Sequence, residues 1–125
     1  MASHGVNTRR VYAFDKALYT GEPLLPMAEL RKLGRRIWTK HSPWKARCPE
    51  IVAGKGMRFH DGSYISYCEG RNRIVLTRQD RNRVILIHEM SHALTHWRHG
   101  IGFQNKYAEL LSLWMRSTST RANHG

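Results

Sequence analysis

The stretch Val84-Ile85-Leu86-Ile87-His88-Glu89-Met90-Ser91-His92-Ala93-Leu94 decides how this chain is read. From Arg81 onward apolar residues fall at Leu86, Met90, Ala93 and Trp97, with Ile87 and Leu94 beside them. That recurrence is helical, and Asp80 stands where an N-cap is expected. Inside the helix, His88, Glu89 and His92 form an H-E-x-x-H pattern. Residues four apart lie on one helix face, about one turn apart, so both imidazoles can reach one metal ion. Zinc held by three protein ligands keeps a position open for water and lowers the pKa of that water to about 7. Glu89, one residue along from His88, can address such a water as general base and pass its proton to a leaving amine. Three fixed positions in five recur by chance in unrelated chains, so the context matters. Here the pattern sits in an apolar helix, and beyond Asp80 the only acids are Glu89 and Glu109.

Two histidines do not complete a zinc site. His96 continues the same helical row, but it would lie about 12 Å along the axis from His88 at about 1.5 Å per residue. His99 would lie farther still unless the chain turns back, and Gly100 and Gly102 supply a means of turning. Glu109 stands on a second helical stripe formed by Phe103, Tyr107, Leu110, Leu111 and Trp114. The candidates for the third ligand rank as His99, then Glu109, then His96. A group to stabilise the oxyanion is sought among Tyr107, His96 and Tyr67.

The segment HEMSHALTHWRHGIGFQNKYAELL resembles the active-site region of the SprT/Spartan-like zinc metallopeptidases and their short phage and bacterial relatives. His88, Glu89, His92, Ala93 and Leu94 match the first half of their pattern, and His99, Gly100 and Phe103 match the second. The resemblance implies one zinc ion held by His88, His92 and His99, with Glu89 as catalytic base. It also implies an α+β, zincin-like minimal fold: an N-terminal helix, a small sheet, the active-site helix and a closing helix. In that arrangement Ile74–Thr77 is the edge strand that holds an extended peptide by strand addition. The resemblance covers the last third of the chain at motif level, and the rest only in layout.

Residues 50–79 carry the strand signals. Ile51–Ala53, Met57–Phe59, Tyr64–Tyr67 and Ile74–Thr77 are short apolar or β-branched runs, separated by Asp61-Gly62 and Glu69-Gly70 turns. They predict a small, mostly antiparallel sheet. Before them, Pro26 suits the start of a helix running to about His41. A short amphipathic segment is expected at Tyr12–Tyr19. Residues 1–10 read as a flexible basic arm, 11–116 as a single domain and 117–125 as a flexible tail.

The chain has 125 residues, 21 of them Lys or Arg against 9 Asp or Glu, for a net charge of +12 with His neutral. Hydrophobic residues make up 41%, enough for a modest core, which excludes a wholly disordered chain. No run approaches the ~18 apolar residues of a membrane span, so no membrane partner is expected. With no apolar stretch near Met1, the chain is expected in a cytoplasm, that of the host if it is phage-encoded, or in a virion. Cys48 and Cys68 are too few for a disulfide framework and read as partly buried free thiols. A metal site shared by these thiols and His60 lacks Cys-x-x-Cys spacing.

The densest basic cluster is Arg31, Lys32, Arg35, Arg36 and Lys40. On a helix packed through Leu30, Leu33 and Ile37 these form one charged face, with Trp38 and Trp44 interleaved for stacking on bases. So basic a domain attracts polyanions, DNA or nucleoprotein included, in a salt-dependent way. The leading expectation is a zinc metalloendopeptidase acting on protein or peptide substrates associated with nucleic acid. The alternatives are a basic nucleic-acid- or protein-binding module with a structural or vestigial zinc site, and a virion or assembly component.

Overall fold

The computed structural model describes residues 22–43, 46–58, 61–95 and 99–115. The expected arm at 1–10, the segment at Tyr12–Tyr19, the tail at 117–125, and Trp44, His60, His96 and Trp97 lie outside the described residues. The architecture is α+β. Helix α1 spans Met27–His41, followed by strands β1 (Glu50–Ala53), β2 (Met57–Arg58), β3 (Tyr64–Ile65), β4 (Tyr67–Glu69) and β5 (Arg73–Leu76). Then come helices α2 (Arg83–Leu94) and α3 (Ile101–Leu110), with a wider helical turn at Leu111–Met115.

Pro26 sets the entry to α1 at φ −60° and ψ 148°, just outside the helix. Glu29 in the first turn and Lys40 and His41 in the last complement the helix dipole. The face buried is Leu30, Gly34, Ile37 and Trp38. Spacings of three, four and seven place these on one side. At Gly34 the helix comes so close to β1 that an added Cβ would overlap the Ile51 Cδ1 methyl. The backbone N–H of Leu25 donates to the Arg81 carbonyl at 2.7 Å, and Arg83 pairs with Glu22. The entries to α1 and α2 are thereby held together.

Two of the three strand pairings are antiparallel, as expected, and the third makes the larger sheet mixed. The strand order is β1-β5-β4, with β1 parallel to β5 and β4 antiparallel to it. The β2–β3 pair forms a separate two-stranded sheet. Both glycine turns exist as read: Gly62 and Gly70 take positive φ, at 91° and 59°. Turn signals, however, report only which neighbours in sequence fold back. They do not say that the chain passes through two hairpins before β5 pairs with the distant β1. Consequently β5, the expected edge strand at Ile74–Thr77, is the central strand. Its Ile74, Val75 and Leu76 are all buried, the continuous apolar pattern of a strand covered on both faces.

Helix α2 is buried from Val84 through Ser91 and again at Ala93 and Leu94. It is apolar around most of its circumference, as befits a helix enclosed by neighbours. Its N-cap is Asn82, whose side chain accepts from the Ile85 backbone N–H at 2.9 Å, and not Asp80. Asp80 instead accepts from the Ser66 and Thr77 hydroxyls at 3.0 and 2.8 Å, tying a short 3-10 turn to the strands. The core is the seam where α1, α2, α3 and the three-stranded sheet meet, filled by Leu30, Ile37, Ile74, Leu76, Leu86, Ile87, Met90, Phe103 and Leu110. Among the described residues no helix is long and apolar enough to cross a membrane.

Candidate metal centre

His88 and His92 leave α2 one turn apart, with ring centroids separated by 5.1 Å. The helix ends at Leu94, earlier than the expected continuation through Trp97. The Thr95 hydroxyl donates to the Ser91 carbonyl at 2.6 Å, and the Thr95 N–H donates to the His92 carbonyl at 3.2 Å. By His99 the chain has turned back on α2. Gly100 does not supply this reversal through positive φ. It caps α3 in an extended conformation at φ −80°, while Gly102 lies within that helix. Gln104 of α3 donates its side-chain N–H to the His99 carbonyl at 3.0 Å and so anchors the returning loop.

The reversal brings three imidazoles together through their Nε2 atoms. His99 Nε2 stands 3.1 Å from His92 Nε2 and 3.3 Å from His88 Nε2. The ligand atoms of His88, His92 and His99 all lie within 4.8 Å of one another, close enough to hold a metal ion. A neutral imidazole has one donor nitrogen and one acceptor nitrogen. Three Nε2 atoms meeting at a point cannot all be satisfied by one another, and a cation that accepts all three lone pairs satisfies them together.

Phe103 fixes the rings from the α3 side. It stacks on His92 at 4.3 Å with an interplanar angle of 27°, and meets His88 and His99 edge-on at 5.1 and 4.9 Å. Tyr107, one turn farther along α3, meets the His88 ring at 5.3 Å. Phe103 and Tyr107 are both buried, so the imidazoles sit against an aromatic wall.

Glu89 is 5% exposed. An acid so deeply buried is rare and costly without a role or partner. It lies about 100° around α2 from His88, on the side of β4. Cys68 on β4 registers its presence: burial raises that thiol to about 12, and the Glu89 carboxylate adds to the shift. The Cys68 thiol donates to the Gly70 carbonyl at 3.0 Å. Burial likewise raises Cys48, with Arg35 opposing. Both thiols are free and half-buried, as expected. At pH 8 both should therefore react with a disulfide reagent far more slowly in the native protein than in denaturant. A folded pKa raised to about 12 means that Cys68 favours folding below the unfolded thiol pKa of about 8.5. Its contribution fades as pH rises above that value, because only the unfolded chain then loses the proton.

Glu109, the second candidate ligand, is elsewhere. Its carboxylate accepts from Lys106 Nζ at 2.9 Å and lies 3.6 Å from His41 Nδ1, on the exposed side of α3. That hydrogen bond holds its pKa below the usual carboxylate range. The ten-residue stripe carrying Phe103 and Tyr107 inward necessarily carries Glu109 outward. Tyr67 is half-buried on β4, packed with its strand against α2.

Arg31, Lys32, Arg35, Arg36 and Lys40 are all exposed on the outer face of α1, as the helical spacing predicted. Arg31 Nε also donates to the Ile51 carbonyl of β1 at 2.8 Å. Trp38 does not join this face. It is buried, and its indole N–H donates to the Ala46 carbonyl at 2.9 Å. Among the described residues an aromatic that does meet this face is Trp114, beyond α3, with the Arg36 guanidinium 5.4 Å from its ring centroid. Trp114 also packs partly against the core, as its place in the helical stripe predicts, and no local signal marks its contact with a helix more than seventy residues earlier.

No family model matches the chain, and no curated protein or solved structure matches it.

Proposed function

We propose that the protein is a zinc-dependent metallopeptidase of the SprT-like, zincin type, cleaving peptide bonds with His88, His92 and His99 as ligands and Glu89 as base. The observation that carries the reading is the convergence of three Nε2 atoms. Tetrahedral ligands with metal–nitrogen bonds of about 2.0–2.1 Å stand about 3.3 Å apart, and the separations here are 3.1 and 3.3 Å. Nitrogen donors of this kind suit zinc among the common divalent ions. Among the described residues the group holds three ligands and no fourth. Three protein ligands are the number that catalytic zinc sites use, with the fourth position left to water or substrate.

When bound, zinc supplies a Lewis acid and a water whose pKa falls to about 7. The chain's own residues do the rest. Glu89, held rigidly in α2 one position from His88, accepts the proton of the attacking water and delivers it to the departing amine. Phe103 keeps the His92 ring flat against α3 and limits its rotation. Tyr107, beside His88, is the candidate donor to the oxyanion. The substrate is an extended peptide or protein. With β5 central, the strand available to pair with it is β4, Tyr67–Glu69, an edge strand packed on α2. The other edge is less accessible, because Arg31 already occupies the Ile51 carbonyl of β1.

The reading is tested by hydrolysis of an unfolded protein substrate such as casein. Cleavage should stop with a chelator and return with zinc. Failure to cleave casein or a peptide library in the zinc-loaded state would favour a binding module instead.

A further inference from the structure

A groove lies between the outer face of α1 and the turn that follows α3, remote in sequence from the histidine cluster. Lys32, Arg35, Arg36, Thr39, Lys40 and Trp114 line it, and its volume is about 420 Å³. That is within the range of small-ligand sites, about 300–1,000 Å³. Lys32, Arg36 and Lys40 follow one another at intervals of four, so their charges run along the helix over about 12 Å. Arg35 flanks the row. The indole of Trp114 is placed by its N–H donating to His41 Nε2 at 3.1 Å and by an edge contact with that ring at 6.0 Å. Arg36 lies over the same indole.

We infer that this groove binds single-stranded nucleic acid, with Lys32, Arg35, Arg36 and Lys40 on successive phosphates and one base stacked at Trp114. A row of cations tracks a backbone, and an aromatic ring within that row accepts a base of any identity. The sign of the charge disfavours a cationic ligand, and the net charge of +12 brings polyanions to the surface. Duplex DNA satisfies the charges and leaves the indole without a base, because its bases are already paired and stacked. An unpaired strand satisfies both features. The groove shares no residue with the histidine cluster or with Glu89, so binding here is independent of catalysis.

The test measures fluorescence anisotropy of a labelled twenty-nucleotide oligothymidylate on the full chain across a salt series. Trp114→Ala should weaken binding about tenfold, in line with the loss of one base–aromatic stack. Trp114→Phe, which keeps a ring and drops the bond to His41, should stay within about threefold of the parent. The combined variant Lys32→Gln, Arg36→Gln and Lys40→Gln changes only exposed side chains. It should shallow the log–log salt slope by about two, at about 0.7 per phosphate on a single strand. Heparin, an anion without bases, should bind Trp114→Ala as it binds the parent, and Glu89→Gln should bind the oligonucleotide unchanged. The inference is overturned if the triple variant keeps the parental salt slope. It is also overturned if Trp114→Ala binds the oligonucleotide normally, or loses heparin to the same degree.

Discussion

Glu89→Gln is expected to retain zinc and to lose hydrolysis by a factor of about 10²–10⁴ or more, the usual share of a positioned acid–base group. The substitution conserves volume, which matters because Glu89 is 5% exposed in a packed helix. It leaves an amide that can still hydrogen-bond a water but cannot take its proton. The loss should fall on kcat, with KM little changed, because the carboxylate acts on the attacking water and not on binding of the peptide. The ligands are untouched, so metal content in the same preparation should equal the parent's. Measuring kcat and zinc side by side separates this outcome from unfolding. Activity within a few fold of the parent would remove Glu89 from the mechanism and leave the histidine cluster as a metal site without its base.

Replacing His99 with Ala should have the largest effect on stability. His99 is 8% exposed and is held against α2 by the Gln104 hydrogen bond, the Phe103 ring and the shared imidazole cluster. Its loss leaves two ligands one turn apart on one helix, a pair that binds zinc weakly. An ion bound at a thousand times its Kd stabilises the native state by about 4.1 kcal/mol. For a chain of this size each kcal/mol moves the melting point by about 4 °C. The parent should therefore melt on the order of 15 °C or more above its chelated form, and His99→Ala should show little response to chelator. Protons compete with the ion for the same Nε2 lone pairs. The zinc-dependent part of the stability should thus be present at neutral pH and lost as pH falls toward 5, through the reference imidazole range near about 6.5. Differential scanning calorimetry with and without chelator at pH 7.5 and pH 5 reads both effects. Equal melting points in all four conditions would contradict a bound metal.

The parts of this protein legible in its sequence are the parts governed by local spacing. The i, i+4 histidines, the basic face of α1 and the glycine turns at 62 and 70 are each fixed within a few residues, and each is found where the spacing puts it. The limits are equally physical. Pairing of β1 with β5 joins residues more than twenty positions apart, and turn chemistry carries no information across that distance. Asp80 and Asn82 are both competent caps, and the choice between them rests on Ser66 and Thr77, which claim the Asp80 carboxylate. His99 and Glu109 were both acceptable ligands on composition. The geometry of α3 separates them, since the face that sets Phe103 and Tyr107 against the imidazoles turns Glu109 toward Lys106 and His41. Trp38 leaves its expected place on the basic face because α1 packs through it, while Trp114 packs partly against the core as its stripe predicts and also meets the charged side of α1.

Catalysis of the proposed kind requires that His88, His92 and His99 hold one zinc ion. Inductively coupled plasma mass spectrometry on protein purified without chelator or affinity metal tests it most directly. About one zinc per chain is expected in the parent, in Glu89→Gln and in Glu109→Ala, and almost none in His99→Ala. A parent that carries no zinc and takes up none on dialysis against it, or a zinc content that survives His99→Ala and falls with Glu109→Ala, would contradict it.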